Sequence, residues 1–306
     1  MRNKFAEIIY KESIKNSKIC VVVADISPAG SINLFRTKYP KRFINTGVAE
    51  QSMIGIAAGM ALRGLKPFCY TIATFSLYRP FEMIRVDLCY QNLPVTVVGM
   101  GTGTVYSTLG GTHLTQEDIS VARSVPNMNI IAPCDPKELE DSLNYCCNKS
   151  KGPVYLRIGK AGEPTFVNKK SEKWKFGKIR KIVSGTDVCI LTFGPIMKKA
   201  FELREKFLQK GKSIEINSCH TLKPFDYLTL RKKFNKFKKI VIIEDHSEIG
   251  GLSAIIKEAA YEYSYKGKIF SFSLKDQFIH CYGDHDDLLN KHGINVNRFY
   301  KEILRN

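Results

Sequence analysis

Residues 42–59 read Arg-Phe-Ile-Asn-Thr-Gly-Val-Ala-Glu-Gln-Ser-Met-Ile-Gly-Ile-Ala-Ala-Gly. Phe43 and Ile44 end an apolar, strand-like stretch, and Gly47 permits a tight turn. Met53, Ile54, Gly55, Ala57, Ala58 and Gly59 then supply the small and apolar side chains of a closely packed helix, expected to be buried on nearly all sides. Glu50 falls in the first turn of that helix. A charge there is costly to bury unless it is partnered. It can answer the orphan N–H groups and the macrodipole of the helix, or it can do chemistry, and these residues alone leave both readings open.

Outward from this segment, apolar runs alternate with helical patterns, as in a parallel sheet covered by helices. Strands are expected at Ile19 to Ala24, Lys66 to Ile72, Val95 to Gly99, Asn129 to Ala132 and Val154 to Arg157, with helices over Phe81 to Tyr90 and from near Pro136. A polar, lysine-rich stretch from Lys160 to Lys178 reads as a linker. The alternation then resumes, with strands at Asp187 to Thr192, Ser213 to Asn217, Lys239 to Ile243 and Ile269 to Ser273, and helices at Pro195 to Lys210 and Gly251 to Tyr263. The expected fold class is α/β, with two domains, each a mainly parallel sheet covered by helices. The divisions are 1–165, a linker over 166–180, and 181–306.

A chain of 306 residues can bury two cores of ordinary size. Its hydrophobic content of 44% and charged content of 25% are those of a globular protein. No apolar run reaches membrane-spanning length and Met1 to Lys18 lacks a signal-peptide core, so no membrane partner and a cytoplasmic location are expected. The nine cysteines are scattered without a C-x-x-C spacing, which argues against a disulfide framework and a zinc site. The net charge of +18 is spread along the chain, apart from the run Arg231 to Lys239, which reads as a solvated helix face rather than a nucleic-acid patch. The positive field favours anionic small molecules or an acidic companion subunit.

Four further segments carry chemical signals. Thr74-Phe75-Ser76-Leu77-Tyr78-Arg79-Pro80-Phe81 follows a strand and opens a helix, with aromatics at three-residue spacing that can serve simple core packing. The loop from Gly99 to His113 is glycine-rich, which lets backbone approach a ligand, and leads into Leu114-Thr115-Gln116-Glu117-Asp118-Ile119. In the second half stand Cys219-His220-Thr221-Leu222-Lys223-Pro224-Phe225-Asp226 and Glu244-Asp245-His246-Ser247-Glu248-Ile249-Gly250-Gly251-Leu252. Together with the stretch Arg42 to Gly59, these segments resemble transketolase and its thiamine-diphosphate relatives. The likeness covers nearly the whole chain, as a thiamine-diphosphate pyrimidine-binding fold followed by a transketolase C-terminal domain.

The resemblance implies a role for each matching residue. Glu50 would hydrogen-bond the aminopyrimidine ring of thiamine at N1′ and favour the imino tautomer, whose exocyclic nitrogen can remove the thiazolium proton. Phe75 and Tyr78, with Phe81 as a third candidate, would stack on that ring, while Arg85 would be structural. His113 would contact the donor sugar or shuttle a proton. Arg157 matches a phosphate-binding arginine, its alternative being an ion pair. Asp25, at the end of the first strand, is a candidate for supporting the cofactor. His220, Glu244 and His246 are expected at interfaces and in folding. The chain departs from the family at Gly101, where a histidine is usual, and at Leu109, where an acid is usual, which predicts a changed sugar specificity.

The family holds the diphosphate through Mg²⁺ on a Gly-Asp-Gly segment followed by Asn, and this chain has none; Gly283-Asp284-His285 is the nearest string. The resemblance therefore implies the C-terminal subunit of a split enzyme. An N-terminal subunit carrying the diphosphate-binding domain would supply the Mg²⁺ ligands, within an α2β2 heterotetramer in which this chain self-dimerises. The expected reaction moves a two-carbon ketol unit between phosphorylated or nucleotide-linked sugars. The alternatives are a beta-type subunit of a 2-oxo-acid dehydrogenase, an enzyme like deoxyxylulose-phosphate synthase, or a non-catalytic basic binding protein.

Overall fold

The computed structural model describes residues 1–26 and 32–305. The first half runs α1 (Arg2–Lys15), β1 (Ile19–Val23), α2 (Ile32–Lys38), a 3₁₀ turn (Pro40–Arg42), β2 (Phe43–Asn45), α3 (Glu50–Leu62), β3 (Lys66–Ile72), α4 (Ala73–Leu77), α5 (Phe81–Met83), a π-helix (Ile84–Tyr90), β4 (Thr96–Met100), α6 (Asp118–Ser124), β5 (Asn129–Ile131), α7 (Pro136–Asn148) and β6 (Val154–Ile158). The second half comprises β7 (Arg180–Val183), β8 (Val188–Thr192), α8 (Met197–Leu208), β9 (Ile214–Ser218), β10 (Thr221–Lys223), α9 (Tyr227–Lys236), β11 (Lys239–Ser247), α10 (Leu252–Glu262), β12 (Lys268–Leu274), α11 (His285–Lys291) and α12 (Val296–Arg305).

The strands form two sheets, as the apolar runs predict. One has the order β10-β5-β6-β4-β3-β1-β2 and the other β12-β11-β8-β9-β7. Every neighbouring pair is parallel except β10 with β5 and β7 with β9. β1, β4, β6 and β8 are buried along their whole length, which explains their unbroken apolar sequences: helices cover both faces. Alternate residues feed different cores. Val22, Cys69, Val97 and Tyr155 face one layer, and Val21, Tyr70, Val98 and Leu156 the other.

Two antiparallel edges were not expected from sequence. β10 comes from the second half yet completes the first sheet, pairing Thr221 with Ile131 and Lys223 with Ile130. The linker is also well anchored, because aromatic residues interrupt its lysines. Phe166 stacks on Phe201 at 4.9 Å, Trp174 on His220 at 4.9 Å and Phe176 on Tyr145 at 4.3 Å. His220 is buried there, and burial, aided by the charge of Arg180, pushes its pKa down to about 3. Neutral and stacked, it serves the fold. Glu244 does the same, accepting the Leu252 and Ser253 amides at 2.7 and 3.1 Å at the start of α10.

Three expectations need correction. α3 is buried on one side only: Met53, Ile54, Ala57, Ala58 and Ala61 face inward, while Gln51, Ser52, Gly55, Ile56, Gly59 and Leu62 are exposed. One sheet covers one face of a helix, and a Cβ added at Gly55 or Gly59 would meet nothing within 4 Å. The helix expected over Phe81 to Tyr90 is α-helical only at its start and π-helical thereafter. β11 extends to Ser247 through a register shift against β12, so Glu244, Asp245 and His246 lie in a strand. All nine cysteines are free, eight of them buried. No helix among the described residues is long and apolar enough to cross a membrane.

Candidate active site

The site begins where α3 follows the C-terminal ends of β1 and β2. Asn45 organises that corner: its Oδ1 accepts the Asp25 amide at 3.1 Å and the Gly47 amide at 3.0 Å. Asp25 is exposed beside it, with a left-handed φ of 60°. Glu50, only 2% exposed, does not cap its helix, since no side chain answers the amides at the N-cap Ala49. Its Oε2 instead accepts Arg79 Nη1 at 2.9 Å. Arg79 sits in the turn between α4 and α5, fixed by the following Pro80, and its side chain is 49% exposed.

From Arg79 the contacts run on to His113, at the end of the glycine-rich loop. The guanidinium carbon lies 5.4 Å from the Phe75 ring centroid, and Phe75 meets the His113 ring edge-on at 5.3 Å. His113 Nδ1 is 2.9 Å from Thr112 Oγ1. The fold thus brings Glu50, Phe75 and His113 into one continuous row, with Arg79, which sequence reasoning did not single out, as the connecting piece. Tyr78 and Phe81 pack against the opposite core from Phe75. The Tyr78 hydroxyl donates to Glu117 Oε2 at 3.0 Å, and burial, reinforced by the acidic Asp118 and Glu117, pushes its pKa up.

Tyr106 explains one departure from the family pattern. Gly101 has φ +72°, and a Cβ there would come within 2.1 Å of the Tyr106 ring. The tyrosine therefore occupies the space that a side chain at 101 would need. Its ring also meets His113 at 6.1 Å and carries Lys160 Nζ 4.8 Å from its centroid. Leu109, the second departure, is exposed on the same loop.

Behind the loop, buried polar groups join the two halves of the chain. Arg157, 2% exposed, donates Nε to Asp118 Oδ2 at 2.9 Å and Nη2 to the Asp245 carbonyl at 2.9 Å. Tyr155 donates to the same Asp118 oxygen at 2.8 Å. His246 Nε2 stands 3.9 Å from Asp118 Oδ1, and its Nδ1 lies 2.8 Å from the Ser247 carbonyl. Arg157 is thus held inside the protein and not brought into the row of Glu50, Phe75 and His113. The Asp245 carboxylate accepts the Thr104 amide and hydroxyl, both at 3.1 Å, and lies 3.3 Å from His285 Nε2. A Cβ at Gly103 would strike Asp245 at 2.1 Å, so glycine is what lets the loop dock there.

Burial alone would lower the His285 pKa, but the hydrogen bond and charge of Asp245, helped by Asp286, hold it above the ordinary 6.5. Burial likewise acts to raise Asp245, while His285 and then Arg157 hold it below 3.8. Protonated His285 therefore contributes stability that is complete below about pH 6.5 and is lost as the pH rises through its raised folded value. Thermal unfolding from pH 6 to pH 9 is expected to show the wild type losing its advantage over His285→Gln across that range. A constant gap between the two would refute the pairing. Among the described residues, no three His, Cys, Asp or Glu side chains are arranged to hold a metal ion.

Comparison with known proteins gives this geometry its family. The profile of the transketolase pyrimidine-binding domain matches residues 1–162, and that of the transketolase C-terminal domain matches residues 177–298. An apulose-4-phosphate transketolase subunit of Phocaeicola vulgatus is 31% identical over 85% of this chain and 83% of its own length. A 6-deoxy-6-sulfo-D-fructose transketolase subunit from a Clostridium species is 30% identical over 86% of this chain and 81% of its own length. A solved structure described as a split-gene transketolase in an inactive β4 tetramer superposes with a TM-score of 0.86 at 28% identity, covering 99% of this chain and 96% of its own. With both domains matched in order and relatives of similar extent named as separate subunits, the chain belongs to the transketolase family.

Proposed function

We infer that this chain is the C-terminal subunit of a split transketolase, which moves a two-carbon ketol unit between phosphorylated or nucleotide-linked sugars. The observation that carries the reading is the buried Glu50 carboxylate, joined through Arg79 to Phe75 and from Phe75 to His113. Its only polar partner among the described residues is a planar cation that reaches it from solvent. A site that accepts a planar N–H donor against a carboxylate and beside a phenyl ring fits an aminopyrimidine. When bound, thiamine diphosphate supplies the nucleophilic carbon that carries the two-carbon unit.

The chain's own residues divide the remaining work. Glu50 holds or shares the proton at the ring nitrogen N1′. Phe75 fixes the ring plane, Tyr78 and Phe81 being turned to the opposite core, and Asp25 supports the cofactor from the end of β1. His113, on the far side of Phe75, orients the sugar hydroxyls, while Arg157 and Asp118 hold the loop that carries it. Mg²⁺ and the diphosphate belong to an N-terminal partner subunit, in keeping with the naming of the relatives as separate subunits. The exposed side of α3, with Ile56 and Leu62 around Gly55 and Gly59 and Val48 just before the helix, is surface for a second copy in an α2β2 assembly.

The test is transfer from xylulose 5-phosphate to ribose 5-phosphate with thiamine diphosphate and Mg²⁺, by this chain alone and with its partner subunit. Activity is expected only in the pair. A pair that binds the cofactor, transfers no ketol unit from any phosphorylated or nucleotide-linked ketose and instead consumes pyruvate would overturn the assignment.

A further inference from the structure

We propose that Arg79 is a self-ligand: in the free chain its guanidinium fills the position of the aminopyrimidine ring, and cofactor capture requires its displacement. The proposal rests on the reading of Glu50 given above. Its basis is the agreement of two contacts. Arg79 Nη1 donates to Glu50 Oε2 at 2.9 Å, and the guanidinium carbon lies 5.4 Å from the Phe75 centroid. A pyrimidine protonated at N1′ is likewise a planar, delocalised cation that would donate one N–H to Glu50 and lie beside Phe75. The arginine and the ring compete for the same carboxylate oxygen and the same aromatic neighbour.

The arrangement is also built to be released. Glu50 is almost wholly buried, whereas the Arg79 side chain is half exposed. The departing cation can therefore swing into water at little cost, while an unpartnered Glu50 carboxylate would be costly to leave behind. Glu50 is thus kept partnered when the chain is alone, and the partner is exchanged rather than lost. Pro80 limits the backbone at Arg79, so the exchange is a side-chain movement about a fixed turn. The free chain carries an affinity penalty equal to the reciprocal of the fraction of time the site is open. With Arg79 docked for most of that time, the penalty is about ten- to a hundredfold.

The experiment titrates the full chain with the pyrimidine half of the cofactor, 4-amino-5-hydroxymethyl-2-methylpyrimidine, by calorimetry. Arg79→Ala is expected to bind this probe about ten- to a hundredfold more tightly than wild type, and millimolar methylguanidinium to compete with the probe in that variant. In wild type, the Arg79 guanidinium NMR signal is expected to move to its solvent position as the probe saturates. Arg79→Lys, which keeps the charge without the planar fork, should bind the probe more tightly than wild type as well. Affinity in Arg79→Ala equal to or below wild type, including no binding by either, would overturn the self-ligand. Failure of the Glu50 reading is separate: it would appear as unchanged probe affinity when Glu50→Gln is added to Arg79→Ala.

Discussion

Glu50→Gln in the reconstituted enzyme lowers kcat by about 10²- to 10⁴-fold, the range for losing a positioned acid–base group, and leaves the melting temperature close to that of wild type. The second half of this expectation distinguishes catalysis from support. Glutamine keeps the size of the side chain and an oxygen that can still accept from Arg79, and it removes a buried charge. Arg79 is half exposed, so the pair is partly screened, and glutamine offsets the lost attraction by sparing the burial of a charge, so stability should barely move. The glutamine cannot share a proton with a ring nitrogen, so turnover should collapse. Had Glu50 been a helix cap, its loss would appear in the melting curve and spare the rate. In the structure the Glu50 carboxylate accepts from Arg79, whose guanidinium lies beside Phe75, and the N-cap Ala49 makes no side-chain cap. Glu50→Asp provides the graded control, as withdrawing the carboxyl by one methylene costs on the order of 10²-fold through misplacement. Equal rates for wild type and Glu50→Gln in the assembled pair would end the proposed role.

What could be read in the sequence, and what could not, follows from the range of the interactions. The central strands announce themselves because each is buried on both faces and has no room for polar residues. Glu50 was legible because a charged residue interrupts a run of small and apolar ones. Arg79 was not: its meaning depends on the turn after α4 approaching the start of α3, an encounter set by the packing of two separate helices on the sheet. Nothing in Leu77-Tyr78-Arg79-Pro80 marks that meeting, although an arginine among aromatics near a glycine-rich loop was a signal available to be weighed. Gly101 reads as a missing histidine until Tyr106 is seen to fill its space. The edge strands β7 and β10 were missed because they are short and carry Arg180, Lys181 and Lys223 among few apolar residues. The linker was read from its lysines, while its structural content lies in Phe166, Trp174 and Phe176.

Arg157→Met is expected to destabilise the protein by about 3–5 kcal/mol, the usual cost of removing one member of a buried ion pair. Arg157 and Asp118 are both withdrawn from solvent and joined at 2.9 Å, and the same guanidinium reaches across to the Asp245 carbonyl on β11. Methionine would fill most of the space beside Phe193, whose ring lies 5.4 Å from the guanidinium carbon. The Asp118 carboxylate would keep the Tyr155 hydroxyl at 2.8 Å but lose its counter-charge. Burying a carboxylate with one neutral donor is far costlier than burying the intact pair, so the loss is carried by the group left behind. Adding Asp118→Asn to Arg157→Met should then recover much of the stability, giving a coupling energy on the order of 1–3 kcal/mol in a double-mutant cycle. Tyr155→Phe, which removes one hydrogen bond and no charge, should cost only about 1 kcal/mol. The other possibility for Arg157, direct capture of a substrate phosphate, has a different signature. Removing a phosphate anchor would raise KM for phosphorylated sugars selectively and leave unfolding and the cycle nearly unchanged. Chemical denaturation of the four variants, set beside KM for phosphorylated and unphosphorylated donors, therefore decides between them. In the stability case, the guanidinium that ties Asp118, at the start of α6, to the backbone of β11 would affect turnover only through the posture of the loop bearing His113.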